Sequence, residues 1–149
     1  MPEFLDLHGR TNKAIRALAD AALQRHGLHL GQDHLLAALW ERDGQTPGEL
    51  AALADVSTPA VVKMANRMSE AGLVRRARDE KDSRLVRLWL TAKGRDLQGP
   101  VERERTDLDD ALTSALSASD KRRLLEMLEI VHRSAQNLRG NYSDRAPDA

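Results

Sequence analysis

A chain of 149 residues that is 41% hydrophobic holds enough apolar material for one compact domain or one subunit of an oligomer. Aromatics make up only 3%, which favours packed Leu/Ala helices over a sheet sandwich, and the lack of cysteine excludes disulfides, thiolate metal sites and cysteine redox sensing. The 23 cations balance the 23 anions, no apolar run reaches membrane-spanning length and the amino terminus lacks a signal-peptide pattern, so a soluble, cytoplasmic protein without a membrane partner is expected.

Residues 3–26 read as a first helix, with Leu7, Thr11, Ile15, Leu18, Ala22 and Arg25 along one stripe and Gly27 ending it. Gly31-Gln32-Asp33 opens a second helix that runs to about Arg42, with Leu35, Leu36, Leu39 and Trp40 turned inward, and Asp43-Gly44 closes it. Thr46-Pro47-Gly48-Glu49 then combines an N-cap, a proline at the first helical position and a glutamate three residues on, which completes a capping box. The short helix that follows hides Leu50, Ala51 and Ala54, and Asp55-Val56-Ser57 breaks it. Thr58-Pro59 starts another helix with the same cap-plus-proline device, and Gly72 supplies its left-handed C′ residue. Two capped helices joined by so short a turn form a helix-turn-helix, with Val56 expected to wedge between them.

Val61, Met64, Ala65 and Met68 repeat at helical spacing and belong to the hidden face. Thr58, Pro59, Val62, Lys63, Asn66 and Arg67 fall on the opposite face, where two cations and an amide suit hydrogen bonding to base edges in a major groove. After Gly72 the period shortens to two: Leu73 to Arg78 is one strand and Leu85 to Leu90 the next, with Val86, Leu88 and Leu90 on one side and Leu85, Arg87 and Trp89 on the other. The charged tip Asp79-Glu80-Lys81-Asp82-Ser83-Arg84 makes this ribbon a wing. Arg84, oriented by Asp82, is the candidate for a minor groove. Arg76, Arg78 and Lys81 are expected to contact phosphates, which position a protein without reading sequence.

Thr91 caps a long helix from Ala92 towards Leu116, with a kink expected at Gly99-Pro100. Ser117 to Asp120 begins a last helix that carries Leu124, Leu125, Leu128, Val131, Ala135 and Leu138 to a stop at Gly140, and residues 140–149 read as a flexible tail. The terminal helices carry more apolar surface than one copy hides easily, which points to a second copy as partner. The zero net charge is unevenly spread. Thr58 to Gly94 holds nine Lys/Arg against four Asp/Glu, a +5 module on a −5 body, and such a patch is what a phosphate backbone meets.

The ordered run Glu49-Leu50-Ala51, Val56-Ser57, Ala71-Gly72-Leu73-Val74-Arg75-Arg76, Asp82-Ser83-Arg84 and Leu90-Thr91-Ala92-Lys93-Gly94 resembles the signature of the MarR family, winged helix-turn-helix transcription regulators. Asp55, where such turns often carry glycine, and Gly99-Pro100 depart from it. The fold expected is mainly α with a small β-ribbon, a single MarR-like domain over 1–149: dimerisation helices at 3–30 and 92–139 flank a winged helix-turn-helix at 31–91. The resemblance implies a homodimeric repressor of palindromic DNA, released by a small-molecule effector held between the dimer helices and the DNA module. His8, Arg16, His29, His34 and Trp40 are the candidates for holding a small aromatic or anionic effector.

Two other readings compete. His26, His29 and His34 could ligate zinc in a metal-responsive regulator, although no carboxylate or thiolate stands in register with them and no metal or cofactor is assigned. A winged-helix module that binds proteins instead of DNA would not need basic residues on both helix and wing. No phosphate loop, nucleophile elbow or catalytic carboxylate pair points to an enzyme.

Overall fold

The computed structural model describes residues 2–143 and contains seven helices and a two-stranded ribbon among them: α1 (Glu3–Gln24), α2 (Gln32–Glu41), α3 (Pro47–Ala54), α4 (Thr58–Glu70), β1 (Val74–Arg78), β2 (Val86–Leu90), α5 (Ala92–Asp96), α6 (Gln98–Thr113) and α7 (Ala118–Ser143). They form two compact units that divide between Leu108 and Asp109.

The core of the first unit gathers Leu35, Leu36 and Leu39 of α2, Leu50 and Ala51 of α3, Val61, Ala65 and Met68 of α4, and Leu88 and Leu90 of β2. These are residues that the helical and alternating periods select, so amphipathic pattern alone brings four elements round one centre. The capping box forms as the sequence predicts: Thr46 Oγ1 accepts from Glu49 N at 3.2 Å, and Thr46 N donates to the Glu49 carboxylate at 2.9 Å. Thr46→Val keeps the shape and removes the acceptor, and should lower the unfolding free energy by about 1 kcal/mol in urea titration. An unchanged midpoint would mean that α3 is held by its core face alone.

Four expectations are corrected. The cap of α4 is Ser57, not Thr58: its Oγ accepts from Ala60 N at 3.2 Å, which puts Thr58 and Pro59 in the first turn, where a proline has no donor to lose. Val56 and Ala54 are exposed, on either side of the left-handed turn at Asp55 (φ 51°) that ends α3. The break in the long helix lies at Leu97, ahead of Gly99-Pro100, so that Pro100 falls in the first turn of α6, where the donor it lacks would have no partner within that helix. Finally, Gly140 does not stop the last helix, which continues to Ser143; of the predicted tail, 144–149 lie outside the described residues. A glycine inside a helix weakens it without ending it when the residues beyond keep making backbone bonds.

The ribbon is antiparallel, with Val74 facing Leu90 and Arg78 facing Val86. Gln45 adds an isolated bridge on the other edge of β2, where Leu88 N donates to Gln45 O at 2.8 Å. The Gln45 amide is buried and donates to Ala38 O and Arg42 O, so the end of α2 and the ribbon are locked through one side chain. In the second unit Lys121 reaches Asp109 at 2.7 Å and Ser117 Oγ accepts from Asp120 N, starting α7. That helix leaves Leu125, Leu128, Ile130 and Leu138 exposed, and in the first unit α1 leaves Leu7, Ile15 and Leu18 exposed.

Candidate nucleic-acid interface

Burial of Val61, Ala65 and Met68 fixes the rotation of α4 about its axis, and geometry then decides the outer face. Lys63, Asn66 and Arg67 are exposed there, Thr58 and Pro59 are exposed in the first turn, and Val62 is half-buried beside them. Among the described residues neither Lys63 nor Arg67 is drawn into an ion pair with the body, so their donors face outward with the Asn66 amide. Lys63 and Arg67 also line a small cleft of about 220 Å³ with His29, in the turn before α2.

The wing is held from both ends. At its tip Asp79 Oδ2 accepts from Lys81 N and Asp82 N, and Arg78 donates to Ser83 O at 3.1 Å. Arg84 Nε and Asp82 Oδ1 pair at 3.1 Å while the Arg84 side chain stays 89% exposed, so the carboxylate orients the guanidinium outward without hiding it. Arg76, Arg78 and Lys81 are exposed along the same ribbon. Arg75 lies over the Trp89 ring at 5.7 Å, a cation–π contact that stiffens the strand pair.

At the base, Arg87 is the residue that sequence reasoning placed only on the outer side of a strand. Its Nε donates to Asp79 Oδ1 at 2.8 Å, one Nη donates to Gly44 O at 2.9 Å, and Glu49 lies 3.8 Å away. One planar guanidinium thus ties the wing to the turn before α3 and to the α3 capping box. The hydrogen bond from Arg87, joined by those from the Asp82 and Lys81 amides, holds the Asp79 carboxyl below its usual range. The Thr46 amide does the same for Glu49, with Arg42 and Arg87 assisting against the cost of burial. Depressed carboxylate pKa values stabilise the fold above the unfolded-state values and lose that contribution as pH falls through the folded ones, so these ties are intact at neutral pH and fail only in acid.

The residues proposed to hold an effector are not brought together. His8 stacks on Phe4 at 5.8 Å and Arg16 is exposed, both on α1. His29 lies on the cleft by Lys63, His34 on a separate cavity, and Trp40 donates its Nε1 to Gly94 O at 2.9 Å while facing a third cleft with Glu102 and Arg105. Among the described residues no three His, Asp or Glu side chains gather as a metal ion would need. No helix among them is long and apolar enough to cross a membrane.

Residues 28–86 match the sequence model of the MarR family. The chain is 35% identical over 80 residues to the HTH-type transcriptional regulator TtmR of Methylorubrum extorquens, an alignment that spans 54% of this chain but only 41% of that protein. It is 30% identical over 120 residues to the HTH-type transcriptional repressor Rv2887 of Mycobacterium tuberculosis, covering 80% of this chain and 86% of that one. The fold superposes on the crystal structure of the Staphylococcus aureus MepR–DNA complex with a TM-score of 0.81 at 22% identity, over 88% of this chain and 97% of that chain.

Proposed function

The chain belongs to the MarR family of transcription regulators, and from that premise we propose that it acts as a homodimeric repressor that reads palindromic double-stranded DNA and releases it on binding a small molecule. It is not an enzyme. The observation that carries the DNA reading is the α4 face: Lys63, Asn66 and Arg67 exposed together, backed by a buried row that sets their direction. Side chains of these three types make the bidentate and point-charge contacts that distinguish base pairs in a major groove. The outward Arg84 on the stiffened wing supports a second contact in an adjacent minor groove.

Dimerisation is supported by the exposed leucines and isoleucine of α1 and by those of α7, which a second copy would remove from water. A two-fold pair also sets two α4 helices about one duplex turn, ~34 Å, apart. The S. aureus relative whose fold this chain shares was solved on DNA, and the tuberculosis relative carries the name of a repressor. The deciding experiment is fluorescence anisotropy of the purified protein with DNA from upstream of its own gene, beside sedimentation at micromolar concentration. Dimers that bind one upstream duplex far more tightly than a shuffled one are expected. A monomer indifferent to both overturns the reading.

Lys81→Ala should weaken every duplex alike and flatten the slope of log affinity against log salt by about one unit, because a phosphate contact releases about one counterion. A changed sequence preference in this variant would assign Lys81 to base reading instead.

A further inference from the structure

Between α2, α3 and α4 lies a cavity of about 350 Å³ that the DNA-contacting role does not use. Its floor is Leu35, Leu50 and Val61, each no more than 3% exposed, and its mouth is Leu53 and Val56, which are 67% and 47% exposed. Exposing two large apolar side chains at the rim of an apolar hollow is unfavourable in water, and the volume falls in the range of small-molecule sites, about 300–1,000 Å³. We propose that this cavity is a binding site for a compact, uncharged hydrophobic molecule, with the recognition helix as one of its walls.

Charge decides the ligand class. No lysine or arginine lines the cavity, and its one titratable wall residue is His34, whose Nε2 lies 4.0 Å from the largely buried Asp33 carboxylate. An anion entering there meets no lysine or arginine on the walls, and the Asp33 carboxylate behind His34 is already paired with Arg105 at 3.7 Å, whereas a neutral ring system meets Leu, Val, Ala and Met surface beside that one imidazole. Apolar cavities of smaller size take up benzene-like guests because nothing in them satisfies water.

Met64 makes the site consequential. It lines this cavity and also the basic cleft of Lys63, Arg67 and His29, so one flexible thioether separates the hollow from the DNA-facing side of α4. Gly31 backs it so closely that an added Cβ would stand 3.1 Å from Met64 Cε. A guest in the cavity presses on Met64 and Val61, and both belong to the helix that presents Lys63 and Arg67. The effect on DNA rests on the function proposed above; occupancy of the cavity does not.

Naphthalene is the probe, titrated into the full-length protein carrying isotope-labelled methionine methyls. The Met64 resonance should shift saturably, while Met68 in the core and Met127 on α7 stay in place. Ala54→Phe, which fills the cavity from its exposed edge, should weaken binding by about tenfold or more, and Leu53→Ala, which opens the mouth, by several-fold. A Met64 methyl that does not move, a Met127 methyl that moves in parallel, or equal affinity in Ala54→Phe overturns the site. Anisotropy with the preferred duplex is read separately: a naphthalene-bound protein with altered DNA affinity supports coupling through α4, and unaltered affinity overturns that coupling. A protein that takes up naphthalene and ignores all DNA refutes the proposed function and leaves the cavity assignment standing.

Discussion

A chain carrying Lys63→Ala, Asn66→Ala and Arg67→Ala should lose about a thousandfold or more of its affinity for its preferred duplex while keeping its fold. Each base-reading contact of this kind contributes about 1–3 kcal/mol of discrimination, so three removed together abolish specific binding. What keeps the fold intact is that α4 is held by Val61, Ala65 and Met68 on its other side, whereas the three substituted positions are exposed. Alanine is also the best helix former, so the helix itself is not weakened. Unchanged urea midpoints with lost anisotropy signal are the expected pair of results. If the triple variant bound as tightly as the parent, the reading face would have to be elsewhere on the molecule.

Gly94→Ala should cost about 2–4 kcal/mol, the size of effect that overpacking against rigid backbone produces. A Cβ at this position would collide with the Leu73 carbonyl oxygen and stand 3.2 Å from Leu90 Cδ2. The Leu73 carbonyl cannot retreat, because it accepts from Thr91 N at 3.1 Å and from Thr91 Oγ1 at 3.1 Å. Gly94 cannot retreat either: its own carbonyl accepts from Trp40 Nε1, and its amide donates to Thr91 Oγ1 at 3.1 Å. The close approach of α5 to the start of β1 therefore requires the absence of a side chain, independently of any special dihedral angle. Equilibrium urea unfolding measures it. A loss below about 0.5 kcal/mol, the range of an ordinary surface change, would show that α5 slides without cost.

These two sites differ in what fixes them. Lys63, Asn66 and Arg67 could be placed on one face from spacing alone, since a helix converts sequence separation into direction without help from the rest of the chain. Gly94 stood in the sequence only as the end of a family-like run, and its physical reason became visible when Leu73, twenty-one positions earlier, was found against it. Arg87 is the sharper case. Its alternation with Leu88 was legible, but its three partners, Gly44, Glu49 and Asp79, come from separate turns and a cap. The shift of the α4 cap by one residue, from Thr58 to Ser57, reflects a competition between two adjacent hydroxyls that local preference does not resolve. The effector candidates lie apart within one copy of the chain, with His29 and His34 on different clefts, because closeness in sequence does not by itself set side chains round one cavity.

Local rules were enough for the helix-turn-helix, the ribbon and its charged tip and the capping box, because each depends on residues within a few positions of one another. The wing's anchorage through Arg87 and Gln45, the need for glycine at 94 and the apolar cavity behind α4 depend on groups brought together from distant parts of the chain. Only packing decides those, since the energy of a contact is set by the distance between atoms and not by the number of residues between them.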